Sequence, residues 1–131
     1  NERMPCWLLP SYVYLLFSEV KNIREKVLGL GHPEYASSCY SLGRVYYFMG
    51  KYEKTEILFL EAKQIREKVF GKEHPDYAQI CHSLGALYYK MGQYEKSELF
   101  FLEAKQIREK ILGKEHPDYS ASCNNLAISN A

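Results

Sequence analysis

The sequence has almost no excess charge and no long apolar run. Lys and Arg number 17 against 16 Asp and Glu, a net charge of +1, so we expect a soluble surface and no nucleic acid partner. The apolar stretch from Trp7 to Phe17 is too short to cross a bilayer, and Pro10 interrupts it. No small-x-small cleavage site of a signal peptide follows it. We therefore expect no membrane partner.

The sequence also lacks the marks of a catalytic centre. Apart from Gly43 and Gly85, which lie within predicted helices, its glycines follow predicted helices, and they do not form a run that could cradle phosphate. A catalytic triad would need a nucleophile, a histidine and an acid. No such combination occurs apart from residues that recur in the internal repeat described below. We therefore expect a protein that is not an enzyme and has no cofactor.

What the sequence does contain is a long internal repeat. The stretch L-E-A-K-Q-I-R-E-K-V-F-G-K-E-H-P-D-Y at 60–77 returns almost unchanged at 102–119, and a weaker copy precedes it. The segments 40–81 and 82–123 differ at only 13 of 42 positions. Self-similarity at a fixed period of this length indicates stacked supersecondary units.

One unit, from Pro33 to Gly71, predicts two antiparallel helices. Pro33 suits the first turn of a helix, and apolar or small residues recur at helical spacing until Met49-Gly50. Glycine there suits the left-handed end of a helix. A second helix is predicted from Tyr52 to Val69, with Gly71 ending it before a short polar loop.

These residues resemble the tetratricopeptide repeat, whose pattern is L-G-x-x-Y…G-x-Y…F-x-x-A. The matching residues are Leu42, Gly43, Tyr46, Gly50, Tyr52, Phe59 and Ala62. The usual repeat has about 34 residues. The longer repeat of this chain extends the second helix and the following loop, as in the repeats of the kinesin light chain. The small residue early in the second helix is Thr55 or Ser97, a departure from the pattern. The resemblance implies an all-α fold, a right-handed α-solenoid of antiparallel helix pairs.

The register divides the chain into a divergent N-terminal segment, 1–10, and an array, 11–131. The array comprises a partial repeat with a second helix only (11–32), two repeats (33–74 and 75–116) and a partial repeat with a first helix only (117–131). Neither end is polar as in the capping repeats of solenoids, so we expect a fragment of a longer array. The apolar residues near Leu15 and Leu16 should fold back on the first unit or pack against another molecule.

The four cysteines could form disulfides or a metal site. Cys39, Cys81 and Cys123 occupy one repeat position, where neighbouring units lie roughly 10 Å apart by helix-packing distance, whereas a disulfide needs α-carbons within about 7 Å. Cys6 lies outside the repeat. We expect free cysteines that pack as small apolar residues, which favours a reducing, cytoplasmic location.

Three histidines, His32, His74 and His116, recur once per repeat, and each precedes a proline. One histidine per unit cannot converge on a single metal ion, so we expect loop or helix-capping histidines and no metal site. The Lys- and Glu-rich second helices, with pairs such as Lys63 and Glu67, are expected to present a solvated face.

In arrays of the family that the chain resembles, the first helices line a concave groove. Counted from the leucine of the L-G pair, the positions facing that groove are Ser37, Tyr40, Ser41, Arg44, Tyr47, Phe48, Gln79, His82, Ser83, Ala86, Tyr89, Lys90, Ala121, Asn124, Asn125 and Ile128. Most differences between the first helices fall at these positions. Recognition of a ligand that does not itself repeat would require such variation. The alternative explanation is neutral sequence drift at solvent-exposed positions.

The predicted lining is aromatic and mildly basic, with no acid. It suits an extended peptide segment of a partner protein, with an aromatic or leucine anchor flanked by Asp or Glu. Asn124-Asn125 resembles the family's paired asparagines, which hold a peptide backbone, whereas Ser41 and Ser83 are shorter. The predicted function is a non-catalytic scaffold for protein–protein interaction. The alternative is a structural spacer or self-assembling solenoid, in which the groove is unused and the ends of the array stack on each other.

Overall fold

The computed structural model describes residues 9–112 and residue 123, and the described part of the chain is helical, without a strand. Its five helices are α1 (Leu9–Leu28), α2 (Pro33–Phe48), α3 (Tyr52–Phe70), α4 (Pro75–Lys90) and α5 (Tyr94–Leu112). These bounds confirm the predicted alternation of first and second helices, and α1 begins two residues earlier than expected. No helix of the described residues is long and apolar enough to span a membrane.

The two first helices, α2 and α4, begin in the same way. The Nδ1 atom of His32 accepts a hydrogen bond from the backbone N–H of Glu34 at 3.1 Å, and His74 does the same for Asp76 at 3.1 Å. Each histidine therefore satisfies one of the donors that a helix start leaves unpaired. The prediction of capping histidines is confirmed for these two, and His116 lies outside the described residues.

The same two helices end on a glycine in the left-handed region. Gly50 and Gly92 both have φ of +77°. After α2, the N–H of Gly50 donates to the carbonyl of Tyr47 at 3.0 Å, and the N–H of Lys51 donates to that of Tyr46 at 2.9 Å. This pair of bonds is the Schellman motif, which reverses the chain and brings the second helix back against the first.

The chain divides into two compact units, Asn1–Ala62 and Lys63–Ala131. In the first unit, α2 packs against α1 and against the N-terminal part of α3. A Cβ atom placed on Gly43 would lie 2.6 Å from Cε1 of Phe59, so only glycine allows α2 to approach α3 this closely. The buried apolar residues of this unit are Tyr35, Ala36, Cys39, Leu42, Tyr46, Leu58, Phe59 and Ala62.

The second unit repeats this packing between α4 and α5. A Cβ atom on Gly85 would lie 2.6 Å from Cδ1 of Phe101. Ser97, which is fully buried, donates its hydroxyl hydrogen to the carbonyl of Gly85 at 2.7 Å. A small polar residue early in the second helix therefore ties that helix to the backbone of the first.

Candidate functional site

The predicted groove residues of the first unit lie on the side of α2 that is not packed into the core. None of the six is buried, and Phe48 exposes 76% of its surface. The Tyr40 ring lies 5.4 Å from that of Phe59, and the Arg44 guanidinium lies 5.9 Å from the Tyr40 ring. Arg44 is itself exposed. A cation and an aromatic ring are therefore presented side by side.

At the end of α2, three aromatic rings form a cluster. The Tyr47 ring meets that of Phe48 edge-on at 5.6 Å and lies 5.7 Å from the ring of Tyr52. Burial, and then the neighbouring Tyr52, raises the pKa of the Tyr47 hydroxyl. The Tyr47 hydroxyl can donate a hydrogen bond to a ligand.

The corresponding residues of α4 form a different surface. None of its six positions is buried either. Lys90 is exposed at the end of the helix, where the Tyr89 ring lies 5.3 Å from that of Tyr94. The aromatic pair at the helix end thus occurs in both units. Next to this pair, α2 has Phe48 where α4 has the cation Lys90.

Two of the predicted α4 residues have contacts within the protein. The amide oxygen of Gln79 accepts a hydrogen bond from Arg66 at 3.1 Å. Nδ1 of His82 lies 3.4 Å from Nη1 of Arg108, and its ring lies 5.2 Å from that of Phe101. Residues of the second helices, Arg66, Arg108 and Phe101, therefore hold these two side chains in place.

The remaining predicted positions, Ala121, Asn124, Asn125 and Ile128, lie outside the described residues. The asparagine pair stays a prediction from the sequence.

The arginine of the repeated I-R-E-K segment has a role that the sequence pattern did not predict. Arg66 is only 4% exposed, and its Nη1 atom donates to the backbone carbonyl of Asp76 and to Gln79, both at 3.1 Å. Arg24 donates in the same way to the carbonyl of Glu34 and to the hydroxyl of Ser38, both at 3.0 Å. Each arginine thus fastens the end of one second helix to the start of the next first helix. The only available signal was its unchanged return in each copy of the repeat.

A lysine and a tyrosine complete this connection. Lys63 lies 5.6 Å from the ring of Tyr77, whose hydroxyl donates to Glu103 at 3.0 Å. Lys21, Tyr35 and Glu61 repeat the arrangement in the first unit. Burial, followed by the neighbouring Cys81 and Glu103, raises the pKa of Tyr77 well above its usual value. Together, the arginine and lysine contacts form a seam between the end of one second helix and the start of the next first helix. Lys63 also pairs with Glu67 at 3.8 Å, as predicted.

The cysteines of the first helices belong to the core. Cys39 and Cys81 are free and fully buried. Burial, and then the nearby carboxylate of Glu61 or Glu103, raises the pKa of each thiol to about 12. Because the thiolate is the reactive form, neither residue is a nucleophile at neutral pH. No group of three metal-binding side chains occurs among the described residues.

Comparison with known proteins agrees with this architecture. A family model described as "Tetratricopeptide repeat" matches residues 40–110 and again 82–131. No curated protein sequence matches the chain significantly.

Two solved structures are similar to the chain over most of its length. One, described as a kinesin light chain of Podosopora anserina with nearly identical TPR-like repeats, is 28% identical over 92% of this chain, with a TM-score of 0.85. The other, BtubC (BKLC) from P. vanneervenii, is 20% identical over 94% of this chain, with a TM-score of 0.86. This chain spans 57% and 49% of the lengths of those two proteins.

These likenesses confirm the predicted fold class, an all-α solenoid. They also confirm the predicted similarity to kinesin light chain-type repeats. Because the matched residues cover more than half of its length, the chain belongs to the tetratricopeptide repeat family.

Proposed function

We propose that this protein is a non-catalytic interaction module that binds extended peptide segments of partner proteins on the exposed faces of α2 and α4. Tetratricopeptide repeats generally serve as scaffolds for protein–protein interaction. The observation that carries the proposal is the contrast between the two sides of these helices. The buried glycine, cysteine and tyrosine positions are the same in both units, whereas Tyr40, Arg44 and Phe48 give way to His82, Ala86 and Lys90 on the solvent side.

The chemistry of these faces favours an acidic peptide with an aromatic anchor. The groove positions of α2 and α4 include two exposed cations, Arg44 and Lys90, and no carboxylate. The Tyr47 and Tyr89 rings offer large contact area on side chains that lose little entropy on binding. In the proposed complex, the cations attract Asp or Glu of the ligand, and the rings cover its aromatic side chain. Asn124, Asn125 and Ile128 extend this proposed site.

The proposed cellular setting is the cytoplasm. It is supported by Cys39 and Cys81, which are free and fully buried, as is usual for proteins of reducing compartments.

A peptide-binding titration tests the proposal. A panel of fluorescein-labelled peptides with a single Phe, Tyr or Leu among Asp and Glu is screened by anisotropy. The tightest binder is then titrated with the Tyr47→Ala variant. We expect a loss of about 2 kcal/mol, if Tyr47 acts as a hot spot of the interface.

The matched control is Leu99→Ala. Leu99 is 67% exposed and lies on the second helix α5, so its truncation should leave the dissociation constant unchanged. If no peptide of the panel binds, or if Tyr47→Ala binds as the parent does while it stays folded, the peptide-binding proposal is wrong. The structural spacer would then be the better explanation.

A further inference from the structure

Gln79 on α4 is a predicted groove residue whose amide is oriented by the protein itself. Nη1 of Arg66 donates a hydrogen bond to its amide oxygen at 3.1 Å. Because a guanidinium has donors and no acceptor, the oxygen of the amide faces Arg66 and the NH2 group points elsewhere. Arg66 is 4% exposed, whereas Gln79 is exposed. The contact therefore joins a buried cation to an amide that reaches solvent.

The NH2 group of Gln79 has two N–H donors. Within the described part of the chain, Gln79 makes no hydrogen bond besides the one from Arg66. Both donors therefore remain for water or for a ligand on the exposed face of α4.

The equivalent contact of the first unit uses a different acceptor. Arg24 donates to the hydroxyl of Ser38, which is only 3% exposed. In the second unit the position of Ser38 is taken by Ile80, which is fully buried and has no acceptor. The second unit thus completes the same contact with Gln79, so that an exposed amide replaces a buried hydroxyl.

The bond from Arg66 prepares the amide of Gln79 for recognition. A surface glutamine loses rotamer entropy when a ligand immobilises it, but Gln79 is already restricted in the unbound protein. Preorganisation of this kind improves affinity. A charged donor on the amide oxygen also polarises the amide and strengthens its N–H groups as donors. The exposed end of Gln79 therefore suits an oxygen atom of a ligand.

We propose that Gln79 donates a hydrogen bond to a carbonyl or carboxylate oxygen of the bound peptide, and that Arg66 is the positioning residue for this contact. The inference rests on the proposed peptide binding and adds a specific donor on α4 to it. An extended peptide offers such oxygens on its main chain and on Asp or Glu, and both accept from an amide NH2. If Gln79 only stabilises the junction of α3 and α4, the test below gives a different result.

Gln79→Glu separates the two roles. A carboxylate accepts from Arg66 at least as well as an amide oxygen does, so the melting temperature measured by circular dichroism should not fall. The carboxylate has no N–H to donate, and its charge repels an oxygen acceptor. We therefore expect the tightest binder of the anisotropy panel to bind Gln79→Glu at least about tenfold more weakly than the parent. A melting temperature well below that of the parent would contradict the assigned contact with Arg66.

Gln64→Glu is the matched control, since Gln64 is exposed on the second helix α3 and undergoes the same change of amide to carboxylate. Its dissociation constant should change less than about threefold. Equal weakening by the two variants overturns the proposal, because only the added charge would then matter. Unchanged binding by Gln79→Glu overturns it as well, and the proposed peptide binding then stands without it. If no peptide of the panel binds the parent, the proposed function fails and this inference fails with it.

A double-mutant cycle tests the positioning role of Arg66. Arg66→Met should weaken peptide binding when Gln79 is present, and should have no further effect on the dissociation constant in a Gln79→Ala background. A purely structural arginine would weaken binding equally in both backgrounds, and that result contradicts the positioning role. Circular dichroism verifies that each variant is folded at the temperature of the titration.

Variants of the peptide identify the oxygen that Gln79 recognises. If it is a side-chain carboxylate, one Asp or Glu changed to Ala removes the difference in dissociation constant between the parent and Gln79→Glu. If it is a main-chain carbonyl, no such change removes the difference, but replacing one main-chain amide by an ester reduces it, because the ester carbonyl is a weaker acceptor. If neither kind of peptide changes the difference, the effect of Gln79→Glu does not come from a hydrogen bond to the peptide, and the proposal is wrong.

Discussion

At the scale of single residues, the glycine of the L-G pair is required by a close contact. Replacing Gly85 with alanine would raise the intrinsic helix propensity by about 1 kcal/mol. Its Cβ atom, however, would lie 2.6 Å from a Phe101 ring that is itself only 2% exposed. Overpacking of this kind typically costs about 1–3 kcal/mol and sometimes more. We therefore expect Gly85→Ala to lower the free energy of unfolding, as measured by urea denaturation.

Gly31→Ala is the control for that experiment. No atom lies within 4 Å of the Cβ that the alanine would add, and the backbone of Gly31 is not left-handed. The free energy of unfolding should change by less than about 0.5 kcal/mol. A Gly85→Ala variant as stable as Gly31→Ala would show that the two helices can separate at no cost.

The capping role of His74 gives a second prediction. The Nδ1 atom of its ring accepts the N–H of Asp76, so His74→Ala should cost about 1 kcal/mol of stability. His74→Asn should retain most of the stability, because the asparagine oxygen is a good acceptor at an N-cap. Thermal unfolding followed by circular dichroism compares the two. Equal destabilisation by both variants would mean that the ring acts through its stacking on Phe70, 4.2 Å away.

The buried thiols predict a loss of stability at alkaline pH. Burial raises the pKa of Cys81 from its ordinary value of 9.0 to about 12, so the folded state holds the proton more tightly than the unfolded state. The resulting stabilisation is fully present below pH 9.0 and is lost as the pH rises from 9.0 towards 12. We expect a shallower fall in melting temperature over that interval for Cys81→Ala than for the parent. Parallel pH profiles of the two proteins would contradict the assigned shift.

At the scale of the helices, the seam made by Arg66 should stabilise the junction between α3 and α4. Arg66→Ala removes two hydrogen bonds from a group that is 4% exposed and leaves the Asp76 carbonyl without this donor. A cost of about 1–3 kcal/mol is expected. The control is Lys68→Ala on the same helix, an exposed residue whose replacement should be nearly neutral. Urea unfolding that does not distinguish the two variants would show that the seam adds no stability.

The helices could be predicted from the sequence because their limits depend on local chemistry. Pro33 and His32 at the start of α2, and Gly50 after its end, act within one turn of the backbone. The arginine seam could not be predicted in this way. Arg66 lies in a string of Lys, Glu and Gln that is typical of a solvated face, and its acceptors lie 10 and 13 residues further along the chain.

For the candidate site, the sequence could indicate which side of a helix a residue lies on, but not which residues it contacts. The repeat register assigned Tyr40, Arg44 and Phe48 to a groove-facing side of α2; none of the three is buried, and their role in binding stays a prediction. The register could not show that Gln79 and His82 contact Arg66 and Arg108. Such contacts depend on the packing of helices that are distant in the sequence.

At the scale of the whole molecule, the repeat copies keep the buried glycine, cysteine and tyrosine positions of the first helices and differ at several positions that are not buried. A uniform spacer has no need of Arg44 in one copy and Lys90 four positions further along in the next. In the proposed function these two cations recognise carboxylates of the bound peptide, and the charge attraction should be sensitive to salt. The attraction between these cations and the carboxylates of an acidic-aromatic peptide is therefore the interaction to test directly.

A charge-swap titration provides that test. The Arg44→Glu variant should bind the best acidic peptide at least about tenfold more weakly than the parent, and with a flatter dependence on salt. A peptide with its acidic residues changed to lysine should recover affinity for Arg44→Glu but not for Lys68→Glu, which carries the same charge change on the second helix α3. If Arg44→Glu and Lys68→Glu respond alike to both peptides, the exposed face of α2 is not the binding surface.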